Sequence, residues 1–145
     1  MKKIEMATIE RRYANFGQHA EQTLAFTLTG EIRKHDHIAY TAGSDIPEYA
    51  MSVKSAKFSL MNGNLCESQD FDGIVEEFFC KTASKCFAYV TQEMKCFVMD
   101  ADEFRYFVCQ FCGLSRESTK NGGRLKVQMR SESKKVLSWL EMAVA

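Results

Sequence analysis

Asp45, in Gly43-Ser44-Asp45-Ile46, is followed nine residues later by Lys54, in Ser52-Val53-Lys54-Ser55, and preceded by Glu21 in a segment of helical character. A carboxylate at the end of one strand and an ammonium on the next can meet at one point. There they can hold a divalent cation and a phosphate together. Cleaving a phosphodiester needs a cation to neutralise developing charge and a group to orient water, and it gains from an ammonium beside the anion. Magnesium accepts hard oxygen donors and keeps several of its waters, so one or two carboxylates and a backbone carbonyl suffice to hold it. Asp45, the carbonyl of Val53 and Lys54 are of those types.

The elements that must position them follow from periodicity. Ala20, Leu24, Leu28 and Ile32 recur every four residues, which predicts a helix over about 16–33. Glu21 sits beside that apolar stripe, where a carboxylate turned inward needs a metal or a positive partner. Residues 37–41 are β-prone, Ala42-Gly43-Ser44 turns or bends the chain, and 49–61 contains no proline and predicts one long strand. On that strand Ser52 and Lys54 have the same parity and share a face, while Val53 points the other way.

Beyond the strand, Asn62-Gly63-Asn64 is a turn, and Asp70 caps a helix with the stripe Phe71, Ile74, Val75, Phe78 and Phe79. Strands are predicted over 86–91 and 95–99. Asp100 and Glu103 have capping-box spacing for a helix that takes in Cys109 and Cys112. A strand over 124–129 and a helix over 131–144 close the chain, and residues 1–14 read as an arm or short helix. The order αββαββαβα predicts an α/β (α+β) fold with a central mixed β-sheet flanked by helices.

These segments resemble the PD-(D/E)XK nuclease superfamily, which includes restriction endonucleases and Holliday-junction resolvases. Gly17-Gln18-His19-Ala20-Glu21 is similar to the family's first helix, Gly43-Ser44-Asp45-Ile46 to its metal-binding aspartate segment, and Ser52-Val53-Lys54-Ser55 to its acid-x-lysine strand. The resemblance covers about 16–58 and implies a restriction-endonuclease-like αβββαβ core. It further implies a metal-dependent DNA endonuclease using Mg2+ or Mn2+. In that reading Asp45, Val53, Glu21 and Glu67 hold the metal, and Glu21, Asp45, Ser52 and Lys54 form the catalytic set. One departure matters: position 52 is serine where the family carries an acid. Some restriction enzymes with serine there move the acid to a later helix. Glu67, thirteen residues after Lys54, has that spacing, and Glu76 and Glu77 follow. The same departure supports an alternative, a non-catalytic nucleic-acid- or protein-binding accessory protein of a phage or mobile element with the same fold.

Bulk properties set the remaining bounds. The chain has 145 residues, 46% of them apolar and 26% charged, with one proline and eight glycines. It reads as one nuclease-like domain, 1–145, without a long linker. Nineteen basic residues balance nineteen acidic ones, yet nine acids and three lysines fall within 62–104, and seven cations with two acids within 115–135. Within the basic stretch, Lys120, Asn121, Gly122 and Arg124 form a turn whose glycines and donors suit a nucleic-acid backbone. His35 and His37 share strand parity, and a polar loop explains them as well as a metal does. Six cysteines without paired CxxC units favour reduced thiols over a zinc site. No apolar run reaches the ~20 residues that cross a bilayer, and Met1-Lys2-Lys3 opens no secretion signal, so the expected location is the cytoplasm. A compact nuclease covers little DNA, which makes a homodimer the expected assembly.

Overall fold

A computed structural model of the chain describes residues 1–32, 44–61, 70–116 and 125–145. Among them, β1 (Lys2–Ile4) is followed by α1 (Phe16–Thr29), a 3-10 turn (Pro47–Tyr49), β2 (Met51–Ser55) and β3 (Ser59–Met61). Then come α2 (Phe71–Lys81), β4 (Cys86–Val90), β5 (Cys96–Asp100), α3 (Ala101–Phe111), β6 (Cys112–Arg116), β7 (Leu125–Met129) and α4 (Ser133–Val144). The class is mixed α and β, as the sequence predicts, but the strands divide between two sheets rather than forming one. A four-stranded mixed sheet has the order β1-β5-β4-β2, with β2 parallel to β4 and the other pairs antiparallel. The second sheet, β3-β7-β6, is antiparallel throughout.

The division occurs at Ala56. The predicted long strand breaks there because Ala56 takes a left-handed conformation (φ 46°). Both backbone groups of that residue are held by β4: its N–H donates to the Val90 carbonyl (3.0 Å), and its carbonyl accepts the Tyr89 hydroxyl (2.8 Å). The chain therefore leaves the first sheet after Ser55 and enters the second at Ser59.

Strand β4 shows how the core is organised. Phe87 and Tyr89 point to one face and Ala88 and Val90 to the other, the alternation a pleated strand imposes. On the second face, Ala88 and Val90 meet Ala20 and Leu24 of α1 together with Ile46, Met51 and Cys96. On the first, Phe87, Phe97 and Met99 pack with Ile74 and Val75 of α2 and Phe104, Phe107 and Val108 of α3. That cluster continues to Leu60, Val127 and Met129 of the second sheet and Val136 and Leu140 of α4. Four of its phenylalanines, Phe87, Phe97, Phe104 and Phe107, are fully buried, each stabilising the fold by roughly 1.5–3 kcal/mol.

Helix ends obey local chemistry. Asn15 caps α1 by accepting the Gln18 N–H (3.1 Å), and Asp100 with Glu103 forms a reciprocal capping box on α3. Helix α1 stops at Gly30, whose left-handed φ of 76° ends it four residues before the predicted limit and leaves Ile32 48% exposed. Cys112 lies outside α3 and opens β6, and Lys2–Ile4 pairs with β5 as a strand rather than forming a helix. The expected strand over 37–41 lies outside the described residues. No helix among the described residues is long and apolar enough to cross a membrane.

Candidate functional site at the edge of the mixed sheet

Among the described residues β2 is an edge strand, and one side of it is occupied by β4. On the free side a tight connection folds back. Pro47 starts the 3-10 turn, Ala50 ends it in the left-handed region (φ 47°), and Ile46 and Met51 exchange both backbone hydrogen bonds (3.0 and 3.2 Å). This two-residue ladder sets Asp45 beside Ser52 and Val53. The carboxylate Oδ2 accepts the Val53 N–H at 2.7 Å and the Ser52 hydroxyl at 3.5 Å. Ser44, one residue earlier and buried, donates its hydroxyl to the Met51 carbonyl (3.4 Å).

Backbone parity follows from these bonds. Ala50 gives its carbonyl to Lys85 and Cys86, and Ala56 gives its N–H to Val90, so even-numbered residues of this segment face β4. Odd-numbered residues face the free edge, as Met51 shows with both its groups. The Val53 carbonyl therefore opens on the side where Asp45 lies.

Lys54 shares the face of Ser52 and reaches toward α2, with its ammonium 5.4 Å from the centroid of the Phe78 ring. Glu21 comes from α1, on the other face. The first turn of α1 sits against the end of β2: a Cβ added at Gly17 would lie 3.5 Å from the Ser55 hydroxyl and 3.1 Å from Asn15 Oδ1. Glu21 follows one turn later and is half-buried. Glu21 from one face and Lys54 from the other lie within electrostatic range of Asp45, and no hydrogen bond or ion pair joins either to it among the described residues.

Glu21 and Lys54 each respond to burial, to the Asp45 carboxylate and to one another. The Glu21 carboxyl is pushed up to about 7, first by burial and then by the Asp45 carboxylate, with Lys54 pulling it down. Burial pushes the Lys54 ammonium below its ordinary value, while Asp45 and then Glu21 oppose that shift. Two carboxylates held together with one buried ammonium make a site whose charge a cation would balance.

The donors present fit such a cation in kind. The second oxygen of Asp45, the Glu21 carboxylate and the Val53 carbonyl are hard oxygens, suited to magnesium or manganese with water completing the shell. Among the described residues no group of three or more His, Cys, Asp or Glu side chains gathers to hold a metal, and Cys80, Cys86, Cys96, Cys109 and Cys112 are free thiols. Ser52, only 6% exposed, stands where a third carboxylate would complete the set.

The predicted site residues thus divide. Glu21, Asp45, Ser52, Val53 and Lys54 come together at one edge. Glu67, the turn residues Lys120, Asn121, Gly122 and Arg124, and the histidines His35 and His37 lie outside the described residues. Glu76 and Glu77 belong to other contacts: Glu76 pairs with Arg105 of α3, and Glu77 accepts from Lys81 at 2.5 Å. The part played by Phe78 is hidden in the sequence, since its place on an apolar helical stripe marks it as core and nothing local announces the lysine above it. Comparison of the chain with protein-family models, with curated proteins and with solved structures gave no match.

Proposed function

We propose that the chain is a metal-dependent DNA endonuclease on a restriction-endonuclease-like αβββαβ core. The observation that carries the reading is the placing of Glu21 and Lys54 near Asp45 at the edge of β2, close enough for the Asp45 carboxylate to act on the protonation of both. The parallel pair β2 and β4, connected through β3 of the other sheet and α2, suits the later half of such a core.

Asp45, through the oxygen not bonded to Val53, would hold Mg2+ or Mn2+ with Glu21 and the Val53 carbonyl. When bound, that ion supplies charge neutralisation and a water of lowered pKa. Lys54 faces the scissile phosphate and stabilises the charge that grows on it, in a partly dry site where such stabilisation is strong. Phe78 limits where the ammonium can go. The Ser52 hydroxyl orients water or a phosphate oxygen, and Glu21, poised near neutrality, can hold or release a proton there. Two copies related by a two-fold axis would bring one site to each strand of a duplex.

A second reading has its own observation. Ser52 replaces the strand acid, and Oδ2 of Asp45 is engaged by the turn itself, which favours a non-catalytic binding protein on the same fold. Incubation of the purified protein with supercoiled, linear and branched DNA in Mg2+ or Mn2+, beside Lys54→Ala, separates the two. Metal-dependent cutting that disappears in the variant supports the enzyme. Binding without cutting supports the accessory protein, and indifference to both DNA and metal leaves only a structural or protein-binding role.

A further inference from the structure

The second sheet has one face in the core and one that faces away from it. Leu60, Val127 and Met129 point inward. By register, the opposite face places Ser59, Gln128 and Gly113 in one row across the three strands, and Lys126 and Ser115 share the next. The ladder continues one step past β3, where Met129 donates its N–H to the Phe58 carbonyl (3.1 Å), so Lys57 and Arg130 form a third row. Every charged group in these rows is a cation. The three strands contain no Asp or Glu; Glu117, the residue after β6, lies outside the described residues, and Glu132, which follows β7, belongs to the start of α4.

The donors on this face are held for use. Arg130 lies across β6, its guanidinium bonded to the Leu114 carbonyl (2.6 Å) and its stem over Gly113. A Cβ at Gly113 would come within 3.0 Å of the Arg130 Cδ and Nε atoms, so the absence of a side chain there lets the arginine lie flat. Gln128 accepts the Ser115 hydroxyl through Oε1 (3.2 Å), which leaves its amide NH2 as a donor. Lys57 and Lys126 carry no ion pair among the described residues. Lys126 and Arg130 are four residues apart on one strand, a separation of roughly 13 Å.

We infer that this outward face of the β3-β7-β6 sheet, through Lys57, Lys126, Arg130 and the neutral donors Ser59 and Gln128, docks the phosphate backbone of a DNA duplex. The choice of DNA rests on the nuclease reading; the choice of a polyanion rests on the face alone. Cations and hydroxyl or amide donors without competing acids are the groups that position phosphates, and they carry no base sequence information. Only Ala56, Lys57 and Phe58 separate β2, which bears Lys54, from β3. A duplex held on this face is thereby tethered within a short stretch of chain from the candidate site.

The test is fluorescence anisotropy with a labelled DNA duplex in EDTA, titrated with salt, for wild type, Lys57→Glu, Lys126→Glu, their double variant, and Lys2→Glu on β1 as control. Far-UV circular dichroism checks each fold, and Lys126→Gln replaces the glutamate variant should that one fail to fold. The expected double variant binds at least tenfold more weakly, with a log–log salt slope shallower by about 0.9 for each phosphate it no longer neutralises. Lys2→Glu should match wild type. Wild type that fails to bind, an unchanged affinity and slope in the folded double variant, or an equal loss in Lys2→Glu each overturns the inference. Because EDTA excludes cutting, the two proposals fail separately. Binding through this face without Mg2+-dependent cleavage sinks only the enzyme, and cleavage with an unresponsive affinity sinks only the docking face.

Discussion

The carboxylate of Asp45 and the backbone amide of Val53 are joined by a 2.7 Å hydrogen bond across the free edge of β2. That bond gives Asp45 two roles, since one oxygen closes the turn while the charge acts on Glu21 and Lys54. Substitution can separate them. Asp45→Asn keeps an acceptor for the amide and should stay within about 1 kcal/mol of wild type in urea denaturation. Asp45→Ala orphans the amide and should cost about 1–3 kcal/mol. Both should lose metal-dependent cleavage.

Stability should depend on pH through Glu21. Its carboxyl titrates at about 7 when folded, against an ordinary value of 4.5. Between those values the folded state binds the proton that the unfolded chain has released. Stability from this group is therefore full at low pH, falls as pH rises from 4.5 to about 7, and levels above. Solvent screening of the exposed part of the side chain reduces the effect to about 1–2 kcal/mol. Thermal melts of wild type against Glu21→Gln should show the variant without that decline and more stable at pH 8. Added Mg2+ should narrow the difference by stabilising the wild type.

Ser52 gives a prediction in the opposite sense. Its hydroxyl lies 3.5 Å from Asp45 Oδ2, so a carboxylate at 52 would join the existing pair. Ser52→Asp should destabilise the fold in EDTA by on the order of 2 kcal/mol or more, and so lower its melting temperature, because it adds a third buried negative charge. Mn2+ should then raise its melting temperature more than it raises that of wild type. Differential scanning calorimetry with and without the metal reads both.

The left-handed conformation at Ala56 predicts a selective backbone effect. Ala56→Gly fits that geometry and should change stability by less than about 1 kcal/mol, whereas a branched side chain is strained there. Ala56→Val should cost about 1–3 kcal/mol and weaken the passage from β2 to β3, measurable by denaturation and by amide exchange at Val53 and Leu60.

Local signals carried much of the fold into the sequence. The four-residue spacing of Ala20, Leu24 and Leu28 located α1, and Asp70 and the Asp100–Glu103 pair marked the starts of α2 and α3, where they do cap. What failed to show were features with tertiary causes. Alanine is not a chain breaker, so nothing at position 56 announced the kink that Tyr89 and Val90 hold. The apolar stripe of α3 runs to Phe111 without a stop signal, which concealed the start of β6 at Cys112. Three residues of β1 are too few to display a period. At the site, residue type and spacing brought Glu21, Asp45 and Lys54 into view. The attachment of Asp45 to Val53 and of Lys54 to Phe78 depends on the turn and on α2, which no local sequence signal encodes.

Equilibrium Mn2+ binding, read by electron paramagnetic resonance in the absence of nucleic acid, tests the shared site most directly. Wild type should bind one ion per chain, with affinity reduced at least tenfold in Asp45→Asn and in Glu21→Gln and retained in a surface control such as Glu132→Gln. Absence of binding by wild type, or binding that neither substitution weakens, would contradict a cation centre at the edge of β2.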